Sequence, residues 1–90
     1  MRKFVIERSV AGVGQNDQRG FSGIAHKSND ALAKLSPRVQ WQQSYVADDK
    51  TFCIYLAEDE AAIREHARLS GFPANIITEV KAVIDPATAT

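Results

Sequence analysis

Several features that define other protein classes are scarce or absent in this sequence. Cys53 is the only cysteine, so no disulfide can form within the chain, and a reducing compartment fits this composition. Eleven Lys and Arg balance eleven Asp and Glu, without a basic cluster, so nucleic acid is not an expected partner. No apolar run approaches the ~20 residues of a membrane span or the roughly 7–15 residues of a signal-peptide core. We therefore expect a soluble cytoplasmic protein without membrane contact.

The residues that are present are typical of one small globular domain. The chain has 90 residues, of which 44% are apolar and 24% are charged. We predict a single domain over residues 1–90, with residues 85–90 as a loose tail. A domain of this length buries only roughly 60–65% of the surface of its unfolded chain, so its core is thin. Any second apolar surface is therefore expected to meet a partner.

Hydrophobic periodicity divides the chain into six elements. Strand patterns cover residues 3–8, 39–46, 51–56 and 76–84, and helical spacing covers residues 17–35 and 61–69. Pro37 ends the first helix, and Gly71 followed by Pro73 ends the second. The order βαββαβ with right-handed crossovers predicts a ferredoxin-like α+β fold. In this fold the first and third strands are central in a four-stranded antiparallel sheet, and both helices cover one face.

The uncovered face of this sheet, the open face, is the predicted interface. We assign to the helix-facing side Phe4, Ile6, Phe52, Ile54 and Leu56. Strand alternation then assigns to the open face Val5, Glu7, Thr51, Cys53 and Tyr55. Such a face is too apolar for water, so we expect a homodimer in which two sheets pack face to face as a dimeric α/β barrel. The cavity enclosed by such a barrel would be a natural ligand site.

The length of the hairpin loop decides which face the side chains of the second strand occupy. With a three-residue loop, Trp41, Gln43 and Tyr45 share the face of Cys53 and Tyr55, and a difference of one residue reverses this. We favour the three-residue loop because three strong β-formers already supply the helix-facing side of the third strand.

Few side chains point to chemistry, and the sequence contains no phosphate loop and no recognisable catalytic triad. Glu7 is the most informative residue, because a carboxylate in a closed interface must be paired, protonated or metal-bound. His26 on the first helix and His66 on the second are candidate ligands, together with Glu7, for a divalent transition metal. In the alternative interpretation both histidines are ordinary hydrogen-bonded or surface residues, and Glu7 forms a salt bridge at the end of its strand.

Three further side chains are candidate ligand-binding groups. Cys53 offers a soft thiol, although we favour a buried structural thiol. Tyr45 and Tyr55 can bind a ligand through hydroxyl and ring, or serve as packing residues. A second hypothesis is therefore a small-molecule-binding or enzymatic barrel, in which Glu7 acts as acid and base and a tyrosine donates a hydrogen bond. Nothing in the sequence argues positively for an enzyme.

Four segments resemble a bacterial family of domains of unknown function that are described as nickel-binding proteins. The segments are WQQSYV at 41–46, DKTFCIY at 49–55, EAAIREHA at 60–67 and GFPAN at 71–75. The resemblance implies a ferredoxin-like dimeric α/β barrel that binds Ni²⁺ or another divalent transition metal. The ligands it implies are His66, His26 and Glu7, with Cys53 and Tyr45 beside them. Many relatives have histidine where this chain has Gln43, and an amide is a poorer nickel ligand than imidazole.

Overall fold

The computed structural model describes residues 1–89 and contains four strands and two α-helices. The elements are β1 (Arg2–Ser9), α1 (Gln18–Leu35), β2 (Val39–Val46), β3 (Lys50–Ala57), α2 (Glu60–Ser70) and β4 (Ile76–Glu79), with single 3-10 turns at Val13–Gln15 and Pro86–Thr88. The antiparallel strands are arranged in the order β2-β3-β1-β4. The predicted ferredoxin-like α+β fold, with the first and third strands central, is therefore confirmed. Within residues 1–89 no helix has the length and apolar character that crossing a membrane requires.

Side-chain caps determine where both helices begin. The Asp17 carboxylate accepts a hydrogen bond from the Gly20 amide at 3.0 Å, and the Asp59 carboxylate accepts one from the Ala62 amide at 2.8 Å. α2 ends at Gly71, whose φ of 77° lies in the left-handed region that glycine adopts without steric cost. Both predicted helices therefore agree with the observed ones to within about one residue at each end.

The core lies between the helices and one side of the sheet. Burial alternates along β1 and β3, since every second side chain faces the helices. Phe4, Ile6 and Ile63 are its largest fully buried apolar residues. Burying each such side chain contributes about 1.5–3 kcal/mol. This packing fixes the helix-facing side of the sheet beneath α1 and α2.

The predicted faces of β3 are wrong. Phe4 pairs with Tyr55 and Ile6 pairs with Cys53, and paired residues share a face, so Cys53 and Tyr55 point toward the helices. Thr51 follows them, because it lies two residues from Cys53 on the same strand. The open face instead includes the apolar residues Val5, Phe52, Ile54, Leu56 and Ile76 and the polar or charged residues Lys3, Glu7, Gln40, Gln43, Tyr45 and Thr78. Both alternating sets of β3 are apolar, so only the register with β1 distinguishes them.

The predicted three-residue hairpin loop is also wrong. The Ala47 amide donates to the Lys50 carbonyl at 2.8 Å, so the turn itself is the two residues Asp48-Asp49. This length pairs Tyr45 with Phe52. Because a shift of one residue moves a side chain to the other face, Tyr45 lies on the open face.

A β-bulge at Gln42 divides β2 between the two faces. Gln43 pairs with Ile54 and lies on the open face, whereas Trp41 pairs with Tyr55 and faces the helices. The extra residue breaks the alternation of the strand, so two side chains separated by one residue point to opposite sides. The predicted common face for Trp41 and Gln43 is therefore wrong.

β4 is shorter than the predicted strand over residues 76–84. Its last ladder contact is the Val80 amide, which donates to the Lys3 carbonyl at 2.8 Å. β1 begins at Arg2, so residues beyond Val80 have almost no partner strand to extend along. The predicted loose tail contains the 3-10 turn at Pro86–Thr88, and its last residue, Thr90, lies outside the described residues.

Candidate functional site

The structure does not bring the three predicted metal ligands together in one copy. Glu7 lies on the open face, whereas His66 is on α2, which packs against the opposite side of the sheet. His26 is exposed on α1. Within residues 1–89, no group of three or more His, Cys, Asp and Glu side chains is arranged to hold a metal ion. Residues 1–89 of a single copy therefore do not provide a complete nickel site.

Glu7 is a partly buried carboxylate on an apolar surface. Its side chain is 28% exposed, and its Oε1 lies 3.6 Å from the Lys50 ammonium at the end of β3. A partly exposed pair of this kind contributes only about 0–1 kcal/mol. On the same face, the Gln43 amide donates a hydrogen bond to the Tyr45 hydroxyl. The carboxylate is thus only weakly held, and Gln43 and Tyr45 lie on the same face across β3.

A cavity of about 420 Å³ lies on the other side of the sheet, beneath the N-terminal half of α1. Small-molecule sites have volumes of about 300–1,000 Å³, so this volume is sufficient for a ligand. Two residues predicted to bind a ligand, Cys53 and Tyr55, line this Arg8 cavity, named after the cation in its wall. Tyr45 and Glu7 lie on the open face and do not line it. The predicted role of Glu7 as acid and base in a cavity between two sheets therefore stays a prediction.

Arg8 is the functional candidate that the sequence analysis missed. Its side chain is 3% exposed and forms part of the cavity wall. Nη1 donates to the Pro73 carbonyl at 2.8 Å and to the Phe72 carbonyl at 3.4 Å. Nη2 is fully buried, and no atom of residues 1–89 accepts a hydrogen bond from it. The one available signal was the alternation Phe4, Ile6, Arg8, which places the arginine on the buried side of β1.

Tyr55 separates Arg8 from α2. The guanidinium carbon lies 5.9 Å from the centre of the tyrosine ring, a cation–π contact that partly compensates the buried charge. Burial raises the pKa of Tyr55, although the positive charge of Arg8 opposes this shift. The hydroxyl is therefore protonated at neutral pH and can act as a donor.

His66 is an interior residue of the same region. It is 1% exposed, its Nε2 lies 3.2 Å from the Ser28 hydroxyl, and its ring centre lies 5.1 Å from that of Tyr55. Burial and, to a smaller extent, the positive charge of Arg8 together lower the pKa of His66 to about 4. The imidazole is neutral at pH 7 and joins α2 to α1. Of the two interpretations of His66, its position fits the hydrogen-bonded one.

Comparison with known proteins gives one family and one solved structure. A family model described as "Nickel responsive protein SCO4226-like" matches residues 4–80. The fold is similar to that in the crystal structure of SCO4226 from Streptomyces coelicolor A3(2), with a TM-score of 0.74. The two sequences are 15% identical, and the match covers 91% of this chain and 99% of that one. No curated protein sequence matches the chain.

Proposed function

The chain belongs to the SCO4226-like family of nickel responsive proteins, and from this premise we propose that it binds a divalent transition metal, nickel above all, between two copies of the chain. The observation that carries the proposal is the position of Glu7. It is a partly buried carboxylate on an apolar sheet face, and its closest ionic partner is a half-exposed lysine. A bound cation would satisfy this carboxylate once the face is covered.

Two features of the open face support pairing with a second copy. Phe52, Ile54 and Leu56 form an apolar row along its centre, and Ile76 at one side is 49% exposed. The face also carries charges of both signs, Glu7 and Lys50, which a two-fold axis can place opposite each other.

Pairing would also supply the missing ligands. A single copy offers Glu7 and Tyr45 on this face, separated by the width of β3, which is too few groups for a transition metal. A second copy doubles the set of oxygen donors near the axis. Because oxygen donors suit nickel less well than imidazole, we expect weaker binding than at a histidine-rich site.

Calorimetric titration with NiCl₂ tests the proposal when wild type is compared with Glu7→Gln. The matched control is Glu79→Gln, which removes a partly exposed carboxylate from the neighbouring strand on the opposite side of the sheet. We expect saturable binding with one ion for two chains, a loss of about tenfold or more in Glu7→Gln, and wild-type affinity in the control. Absence of a saturable site tighter than high micromolar, or unchanged binding by Glu7→Gln, would contradict the proposal.

Sedimentation velocity at the same protein concentrations tests whether nickel binding depends on dimer formation. We expect a dimer, and we expect Ile54→Lys on the open face to shift the chain to monomer and to abolish nickel binding together. A variant that stays monomeric and still binds nickel would show that the site does not need a second copy. His26→Gln, measured in parallel, tests whether the exposed imidazole contributes a ligand.

A further inference from the structure

We infer that the Arg8 cavity is a binding site for a small monocarboxylate with an apolar body, whose carboxylate pairs with Arg8. This site is on the opposite side of the sheet from Glu7 and is independent of the nickel proposal. Two observations carry it, namely a buried cation without an anion and an apolar chamber next to that cation.

The charge of Arg8 has no counterion among the described residues. Neither Asp nor Glu lines the cavity, and Arg8 is absent from every salt bridge formed within residues 1–89. Buried guanidinium groups are normally paired, because an uncompensated buried charge is strongly unfavourable. Tyr55 and the carbonyls of Phe72 and Pro73 stabilise the group only as dipoles. A bound anion would supply the counterion that Arg8 lacks.

The guanidinium is held in place before any ligand arrives. Its two hydrogen bonds run to the segment between α2 and β4, at Phe72 and Pro73, and fix the orientation of Nη1. Nη2 is left with donors that no atom of residues 1–89 uses. A planar carboxylate matches these donors, because arginine and carboxylate have complementary donor and acceptor geometry.

The rest of the cavity selects the body of the ligand. Its apolar wall is formed by Val13, Phe21, Ile24, Trp41, Val46 and Phe72. This surface favours a hydrocarbon chain or ring over a hydrated inorganic anion. Ser28 and Tyr55 add hydroxyl groups beside Arg8. An amphiphilic monocarboxylate satisfies both parts of the site, whereas phosphate satisfies only the charge.

Trp41 makes the test direct, because it is the only tryptophan and it lines the cavity. The probes are octanoate, octan-1-ol as its neutral counterpart, and inorganic phosphate, each titrated while tryptophan fluorescence is recorded. We expect saturable binding of octanoate, at least about tenfold weaker binding of octan-1-ol, and no response to phosphate. Octanoate should also raise the Tm of the wild type.

Arg8→Met removes the charge while keeping an apolar side chain of similar length, and Arg2→Met is the matched control on an exposed position of the same strand. We expect Arg8→Met to lose the preference for octanoate over octan-1-ol and Arg2→Met to behave as wild type. The Tm of each variant without ligand shows that it is folded, and Arg8→Lys, which restores the positive charge, should regain part of the preference for octanoate.

Equal affinities of the wild type for octanoate and octan-1-ol would overturn the inference. So would a preference for octanoate that survives Arg8→Met, a response to phosphate alone, or no response to millimolar octanoate.

Discussion

The two sides of the sheet carry similar apolar side chains but have different surroundings. On the helix-facing side, Phe4 and Ile6 are fully covered by α1 and α2, and the charged residue of that row, Arg8, is covered with them. On the open face, Ile54 and Glu7 keep part of their surface exposed. The difference teaches that the chain's own helices cover one side of the sheet, whereas they leave the other side partly exposed.

The largest effect should come from deleting core atoms on the helix-facing side. Ile6→Ala should lower the free energy of unfolding by about 2–5 kcal/mol, because the residue is fully buried and its loss leaves a cavity. Ile54→Ala is the counterpart on the open face, and at a protein concentration low enough to keep the chain monomeric it should cost clearly less. Urea unfolding measures both. Equal costs in a monomer would show that the two sides are equally buried.

The next effect is a pH dependence that His66, on the helix-facing side, should produce. The pKa of folded His66 is about 4, below its unfolded value of 6.5, so as pH falls below 6.5 the unfolded chain binds a proton that the folded chain does not. The free energy of unfolding should therefore decrease by up to about 3 kcal/mol between pH 6.5 and pH 4.

Unfolding curves at several pH values check this decrease. His66→Phe, which keeps an aromatic ring but cannot titrate, should reduce the slope over this interval. A wild-type slope in His66→Phe would locate the pH dependence elsewhere.

A smaller effect, of opposite sign, should come from Arg8. Arg8→Met replaces an uncompensated buried cation with an apolar side chain and should raise the free energy of unfolding by about 1 kcal/mol. The gain is limited because the Phe72 and Pro73 carbonyls lose their donor. Thermal unfolding of Arg8→Met and Arg2→Met measures it. A strong loss of stability in Arg8→Met would mean that the arginine is needed for the fold.

The smallest effect should come from the ion pair on the open face. Lys50→Met should change the free energy of unfolding by less than about 1 kcal/mol, because both members of the pair are partly exposed. Removing this competing cation should at the same time strengthen nickel binding at Glu7. Paired calorimetry and urea unfolding check both expectations, and weaker nickel binding would contradict the proposed role of the carboxylate.

Local signals predicted the elements, but not every side-chain direction. Asp17 and Gly71 mark helix ends because their effects depend on hydrogen bonds within a few residues. The faces of β3 depend on its register with β1, and the sequence of β3 offers two equally apolar sets. The turn at Asp48-Asp49 and the bulge at Gln42 then set the direction of β2, and neither has a distinctive sequence pattern.

For the candidate sites, too, local sequence patterns predicted some features, whereas others depend on the tertiary arrangement. Glu7 was placed correctly on the open face by the alternation of β1, and its role as a ligand is still a proposal. His66 and Glu7 fall on opposite sides because helices cover only one face, which spacing along the chain does not reveal. Arg8 was overlooked because a charged residue is expected to face solvent. It lies two residues after Ile6 on β1, however, so both side chains point to the interior.

The bulge at Gln42 also limits how copies of this chain can meet. β2 is the outermost strand on one flank, and an extra residue there disrupts the evenly spaced backbone groups that a strand from a neighbouring molecule would need. The opposite flank, β4, has only four residues. Edge-to-edge growth into a continuous sheet is thus disfavoured at both flanks, which protects the protein against fibrous aggregation.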